Sequence, residues 1–330
     1  MKGKKSSHVF VILGFTALLI VSMAVAGCTD SGSKTPAASP APPVSIAATT
    51  QESAAVSTPS ASLTTAAPIT PGKKQTIKIS GSTTVLPIVQ KAADQYMASH
   101  PEADIQISGG GSGVGIQAIG AKTVDIGMSS REVTTAELAK YPGFVVTSIA
   151  QDGIAVIVNP ANEIQYITLD QIRDIYLGKI VKWTEITGAD VSGTNKQIVV
   201  IGRDSASGTR TYFDETILLK ATPTNRMLEK NSNGAIAQTI TQTPGSIGYV
   251  SIGFVSKDVK ALPIWYNAQK FVAPTIDNVK SKTYPISRDL YVVTNGQPTG
   301  LTSDFIKYIL GPDGQKIAAD EGYVTIDVKQ

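Results

Sequence analysis

Ile77-Lys-Ile-Ser-Gly-Ser-Thr-Thr-Val-Leu-Pro87 packs a strand, a turn and a helix start into one short stretch. Residues 77–80 are β-branched and apolar enough for a buried strand, and Gly81-Ser-Thr-Thr is turn and cap chemistry. Beyond it Leu86, Val89, Ala93 and Tyr96 step by three and four residues, the period of one helix face, and the face stops at His100-Pro101. The same unit repeats down the chain. Strands are expected at 105–108, 124–128, 145–149, 154–158, 198–201, 247–250 and 290–294. Helices are expected at 114–122, 134–140, 169–177, 211–219, 235–241 and 303–310. Strands alternating with helices in this way define an α/β protein with mostly parallel sheets. In open α/β sheets, ligands sit beyond the carboxyl ends of strands, where helices begin.

Ahead of this body the texture is different. A Lys-rich start (Lys2, Lys4, Lys5) leads into an apolar run from Val9 to Ala26 and then Val25-Ala26-Gly27-Cys28. That is a signal-peptide layout ending in a lipobox-like cysteine, so 1–28 reads as a lipoprotein signal with Cys28 as the lipidated residue. The competing reading is an uncleaved anchor helix of near-spanning length. Residues 29–74 are dominated by Ser, Thr, Ala and Pro, and up to Gly72 their only charges are Asp30, Lys34 and Glu52. Such a segment buries too little apolar surface to offset its ordering entropy and reads as a disordered stalk. Both readings of the leader put the body on the extracytoplasmic face of the membrane.

The inventory excludes much chemistry. In 330 residues there is one cysteine and there are two histidines, His8 and His100, of which only His100 falls in the body. A His/Cys metal site, a thiol nucleophile and an ordinary Ser-His-Asp triad are therefore disfavoured, and no enzyme activity, metal or cofactor is expected. His100, at a helix end beside Pro101, reads as exposed. The net charge of +3 and the absence of a basic, aromatic-interleaved run speak against nucleic acid.

Four strand-to-helix junctions carry glycines and small hydroxyl residues. They are Ser80-Gly-Ser-Thr-Thr84, Ser108-Gly-Gly-Gly-Ser-Gly113, Asp125-Ile-Gly-Met-Ser-Ser-Arg131 and Gly202-Arg-Asp-Ser-Ala-Ser-Gly-Thr-Arg210. Helix N-termini offer unpaired N–H groups and a favourable dipole, glycine lets the backbone come close, and Arg131 and Arg203 supply forked donors suited to a tetrahedral oxyanion. Any one of these loops is ordinary capping chemistry; four of them converge on anion capture. A nucleotide is disfavoured, because Gly120-Ala-Lys-Thr123 breaks the contiguity a phosphate-cradling loop needs. Asp125 is the oddity. It either accepts a proton from a protonated oxyanion such as phosphate, repelling fully ionised sulfate, or it merely ends a strand and caps the following turn. Residue chemistry leaves these two readings level.

The segments Gly81-Ser-Thr-Thr-Val-Leu-Pro87, Gly109-Gly-Gly-Ser-Gly-Val114, Val124-Asp-Ile-Gly-Met-Ser-Ser-Arg131, Arg203-Asp-Ser-Ala-Ser-Gly-Thr209 and Gly245-Ser-Ile-Gly-Tyr249 together resemble the phosphate-binding proteins of high-affinity phosphate ABC importers. The resemblance implies a two-lobed, type II periplasmic-binding-protein-like fold with the ligand in the interlobe cleft. It implies phosphate contacts from Thr83, Thr84, Ser112, Asp125 as proton acceptor, Arg203, Ser207, Gly208 and Thr209, with Ser82, Ser130 and Arg131 matching by position. It also implies a monomer that serves membrane permease subunits and their cytoplasmic ATPase. The lobes are expected to comprise 75–156 plus 286–330 and 157–285. Rival readings are a binder of molybdate, tungstate or sulfate, a phosphoryl-transfer enzyme, and a phosphate-sensing surface module.

Overall fold

The computed structural model describes residues 74–186, 197–266 and 270–327. These all fall within one compact unit, Ala67–Gln330. The expected signal, Cys28 and the stalk lie outside the described residues.

The chain begins with β1 (Gln75–Gly81), α1 (Leu86–Ser99), β2 (Ala103–Ser108), α2 (Ser112–Gly120), β3 (Ile126–Ser129) and α3 (Thr135–Lys140), and then enters the long β4 (Phe144–Val158). The second part comprises β5 (Ile167–Thr168), α4 (Leu169–Tyr176), β6 (Val199–Arg203), α5 (Gly208–Thr216), β7 (Leu228–Lys230), α6 (Asn233–Gln242) and β8 (Ser246–Ser251). It continues through β9 (Lys260–Ala261), β10 (Ile264–Tyr266), β11 (Lys270–Val272) and α7 (Ile276–Lys280). The chain then returns along β12 (Ser287–Asn295) and finishes with α8 (Gly300–Leu310) and α9 (Pro312–Asp320).

One sheet, ordered β2-β1-β3-β12-β4-β8-β6-β7, runs through the molecule. Its two ends are parallel: β1 pairs with β2 and β3, and β6 with β7 and β8. Its middle is antiparallel, β12 pairing with β3 and β4, and β4 with β8. The expectation of mostly parallel sheets therefore holds only within each βα run. The strands that carry the chain out and back oppose one another. This is a mixed α/β fold with two lobes.

Each lobe has its own core. Ile77, Ile79, Ile88, Val89, Ile126 and Met128 pack with Ile149, Ala150, Leu290, Val292 and Phe305. Ile157, Ile172, Tyr176, Trp183, Phe213 and Tyr249 pack with Ile154, Ala155, Val156 and Ile286. β4 thus leaves the first core at Ala150 and enters the second at Ile154. Residues 145–149 and 154–158 read as two strands because Gln151-Asp152-Gly153 interrupts the apolar run. They form one strand, because Asp152 finds its partner across the ladder instead of in solvent.

Local signals explain the helices that frame the site. In α1 the buried face is Ile88, Val89, Ala92, Ala93 and Tyr96, and Pro87 occupies the first turn, where its missing N–H costs nothing. His100, expected to be exposed, is half-buried and stacks on Tyr96 with ring centroids 4.0 Å apart. In α2 the first turn passes so close to β1 and β3 that a Cβ at Gly115 would lie 2.7 Å from Ser80 O and 2.8 Å from Met128 O. Alanine gains up to about 1 kcal/mol over glycine in a helix interior, whereas overpacking costs about 1–3 kcal/mol. The obstructing atoms here are backbone and cannot swing away. Gly115→Ala is therefore expected to lower the unfolding free energy by about 1–2 kcal/mol, while Gly234→Ala, with nothing within 4 Å, leaves it unchanged or raised. Urea titration of both variants checks this.

Candidate functional site

The loops after β1, β2, β3 and β6 meet where the two lobes face each other. Gly81 turns the first of them at φ +139°, where a side chain would strike Met128 O at 2.3 Å. Ser82 Oγ then accepts from Thr84 N at 3.2 Å and from Val85 N at 3.4 Å, so it organises the start of α1. Thr83 and Thr84 follow, both buried. Thr83 Oγ1 has no partner among the described residues. Thr84 Oγ1 lies 3.1 Å from Thr209 Oγ1 and accepts from Asn233 Nδ2 at 2.9 Å, three chain segments joined at one oxygen.

Ser112 opens α2 and its Oγ accepts from Ser130 N at 3.0 Å, with Ser130 Oγ 3.3 Å away. From the other lobe, Ser207 caps α5 by accepting from Arg210 N. A Cβ at Gly208 would stand 2.2 Å from Ser112 Oγ and 3.0 Å from Ser130 Oγ, so only glycine lets α5 start against these serines. Backbone also meets backbone, Gly113 N donating to Ala206 O at 3.0 Å. The first turns of α1, α2 and α5 thus meet at one buried cluster of hydroxyls, where helix N-termini bring N–H donors and dipoles suited to an anion.

Arg203, at the end of β6, brings positive charge. It is 1% exposed, and its Nε and Nη2 donate to the carbonyls of Lys230 (3.2 Å) and Asn231 (3.1 Å). Burial lowers its pKa, opposed by the charge of Asp204. A second guanidinium, Arg288 on β12, donates Nη2 to Thr209 Oγ1 at 2.9 Å and grips Asp152 of β4 with Nε (3.1 Å) and Nη2 (2.8 Å). Asp152 has no exposed surface; burial raises its carboxyl above the usual range, opposed by Arg288, Ser251 Oγ and Ile252 N–H.

Thr83, Thr84, Ser112, Ser130, Arg203, Ser207, Gly208 and Thr209 are therefore gathered at the site, with Ser82 supporting them. Two expected residues are not. Asp125 is exposed at the start of β3, where its Oδ2 accepts from Lys78 N at 2.7 Å. Ser130 lies five residues further along an extended strand, about 16 Å away at 3.3 Å per residue. Asp125 therefore stands at the wrong end of the sheet and cannot accept a ligand's proton. Arg131 turns away too. Its Nη2 and Nη1 fork onto Glu137 Oε1 and Oε2 at 2.7 and 2.8 Å, and Nη1 also donates to Glu132 O. Glu137 is the capping-box residue of α3, placed by Thr134 within reach of the guanidinium. Arg131 instead borders a cleft of about 720 Å³ with Tyr212, Glu215, Asp289 and Tyr291, which Arg288 also lines and the hydroxyl cluster does not.

Asp152, Arg288 and Asn233 were not singled out from the sequence. A carboxylate inside the apolar run 145–158 was the available signal, since a buried charge demands a partner.

Residues 48–313 match the family model of the PBP superfamily domain. The phosphate-binding protein PstS of Bacillus subtilis is 34% identical over 252 residues, covering 76% of this chain and 80% of that protein. PstS of Staphylococcus epidermidis is 30% identical over 263 residues, covering 76% and 79%. Among solved structures, a Clostridium perfringens protein crystallised with bound phosphate superposes with a TM-score of 0.69 at 33% identity, covering 77% of this chain and all of that one (100%). An ABC-type phosphate transport receptor from Vibrio cholerae gives 0.62 at 30% identity, covering 76% and 100%.

The Arg131–Glu137 fork has a pH signature. Burial alone would raise Glu137, but the bonds from Arg131 and Thr134, with the charge of Arg131, hold it below the usual carboxylate range. A depressed folded-state value contributes stability that is present above the unfolded pKa and lost as pH falls through the folded one. Glu137→Gln is thus expected to be less stable than the parent at neutral pH, with the gap narrowing below about pH 4. Thermal melts of the two chains across that range check the sign.

Proposed function

The chain belongs to the PBP superfamily, and within it to the phosphate-binding proteins named PstS, and on that premise we propose that it captures inorganic phosphate for an ABC importer. It is a binding protein and not an enzyme. One observation carries the reading: three helix N-termini and two buried guanidiniums converge on a single buried hydroxyl cluster between the lobes. Phosphate oxygens would accept from Thr83 and Thr84 on α1, Ser112 on α2, Ser130 after β3, and Ser207, Gly208 and Thr209 at α5, with Arg203 supplying charge-assisted donors.

Capture requires a hinge. β4 crosses from one lobe to the other and the chain returns just ahead of β12; we divide the lobes at Gly153/Ile154 and Ile286/Ser287, a division that the change of ladder partner and of core supports. Closure about these strands seals the anion from water, which strengthens each of its hydrogen bonds. The closed, ligand-loaded surface is what permease subunits with a cytoplasmic ATPase would recognise. The protein works as a monomer tethered by lipid on Cys28 to the extracytoplasmic membrane face, with 29–74 as its stalk. Among the described residues no helix is long and apolar enough to cross a membrane.

Calorimetric titration of the full-length chain is expected to show tight phosphate binding and negligible sulfate or molybdate binding. Preference for either rival would remove phosphate as the ligand, and silence toward all three would end the capture reading. Lost charged hydrogen bonds cost about 1.5–3 kcal/mol each, so Arg203→Gln is expected to weaken phosphate binding by about a hundredfold or more. Asp125→Asn, remote from the site, is expected to be silent. A separate measurement addresses the tether. Cys28→Ser should shift the protein from the membrane fraction to the soluble one without altering phosphate affinity, and an unchanged distribution would count against lipidation.

A further inference from the structure

Asp152 and Arg288 face each other in the β4–β12 ladder, on the last rungs before the strands part into separate lobes. Asp152 accepts four hydrogen bonds: from Ser251 Oγ (2.6 Å), Ile252 N (3.3 Å), Arg288 Nε (3.1 Å) and Arg288 Nη2 (2.8 Å). A carboxylate has about four lone-pair positions, so none remains to receive a proton from a ligand.

Arg288 is in the opposite condition. The guanidinium is a planar fork of five N–H donors. Its Nε–Nη2 edge is spent on Asp152. The outer edge, shared by Nη2 and Nη1, turns to the site: Nη2 reaches Thr209 Oγ1 at 2.9 Å, with Thr84 Oγ1 at 3.4 Å. Nη1 on that same edge is buried and has no acceptor among the described residues, and neither has Thr83 Oγ1, beside Thr84. A buried charged donor without an acceptor is costly, more so than an average hydrogen bond is favourable. The site thus presents a second guanidinium corner that an anionic oxygen would satisfy. Among the described residues its buried charges are two guanidiniums, Arg203 and Arg288, against the carboxylate of Asp152.

We propose that Arg288 is a direct ligand of the bound phosphate, through its Nη1–Nη2 edge. Asp152 is a positioning residue that holds the fork at the edge of the hinge and offsets one of the two buried positive charges. This rests on the phosphate reading of the site and adds to it a residue contributed by neither lobe's loops but by the crossing strands. Selection of a protonated oxyanion then falls to hydroxyl and carbonyl acceptors, because the carboxylate is saturated.

The test is phosphate titration of the full-length chain and its variants at several pH values spanning the second ionisation of phosphate, with ligand-free melting temperatures alongside. Asp152→Asn keeps the guanidinium and leaves the pocket with two uncompensated positives. Its affinity should climb more steeply with pH than that of the parent, as the dibasic ion grows in proportion, a readout that a merely structural role would not move. Asp152→Asn/Arg288→Gln removes both charges together and strands neither, and should bind phosphate about a hundredfold more weakly. Arg288→Lys, which keeps the charge and loses the fork, should bind about tenfold more weakly, and it carries the test if the double variant does not fold. Affinity of the double variant or of Arg288→Lys within about twofold of the parent would overturn the proposal, as would a parental pH slope in Asp152→Asn. Were the parent itself unable to bind phosphate, the reading of the whole site would fall, and this proposal with it. Loss confined to the variants separates the two cases.

Discussion

A charge with no exposed surface must be neutralised by protein, and in this molecule that requirement falls on the strand that joins the lobes. Asp152 lies in the middle of β4, where solvent cannot reach it. Its partner is supplied by the return strand, so the ion pair can form only when the chain has gone out, built the second lobe and come back. A pair of this kind contributes little net stability against an apolar equivalent, but losing one member is expensive. Its effect is on register. It pins β12 against β4 at the point where the two cores separate, and from there its outer edge reaches the hydroxyls of Thr84 in one lobe and Thr209 in the other. The hinge, the first lobe and the second lobe thus share one set of hydrogen bonds.

Much of this was legible in the sequence, for an identifiable reason. The βα junctions are local: strand, glycine turn, hydroxyl cap and helix face lie within about a dozen residues, so their chemistry shows in a short window. Thr84, Ser112, Ser130, Arg203 and the Ser207–Thr209 turn were found from such windows, and the fold brings them together. The errors came from reading the same windows too literally. Asp125 and Arg131 flank the Ile126–Ser129 strand and belong to the same motif, yet Asp125 sits at the far end of the sheet and Arg131 meets a nearer carboxylate in Glu137. Adjacency in sequence is not adjacency in space when the intervening segment is extended. Arg288 and Asp152, 136 residues apart, share no window at all. The rule that buried charge needs a partner marks a carboxylate in an apolar run such as Asp152, and it does not say where the partner is.

The parallel ends and antiparallel middle of the sheet have the same origin. Each βα run builds a parallel edge whose helices begin on the side facing the other lobe. The strands linking the runs must travel outward and home, and so oppose one another. Opposed strands pair residue to residue at close range, which is the geometry that sets a carboxylate on one strand opposite a guanidinium on the other.

The contact between Gly113 N and Ala206 O joins backbone to backbone, and Gly111 stands where even a methyl group would meet the backbone Ala206 O of the opposing lobe at 2.6 Å. Side chains accommodate misfit by changing rotamer; peptide units hardly do. The approach of the two lobes is therefore gauged by rigid jaws, whose tolerance is that of the backbone itself, rather than by soft packing.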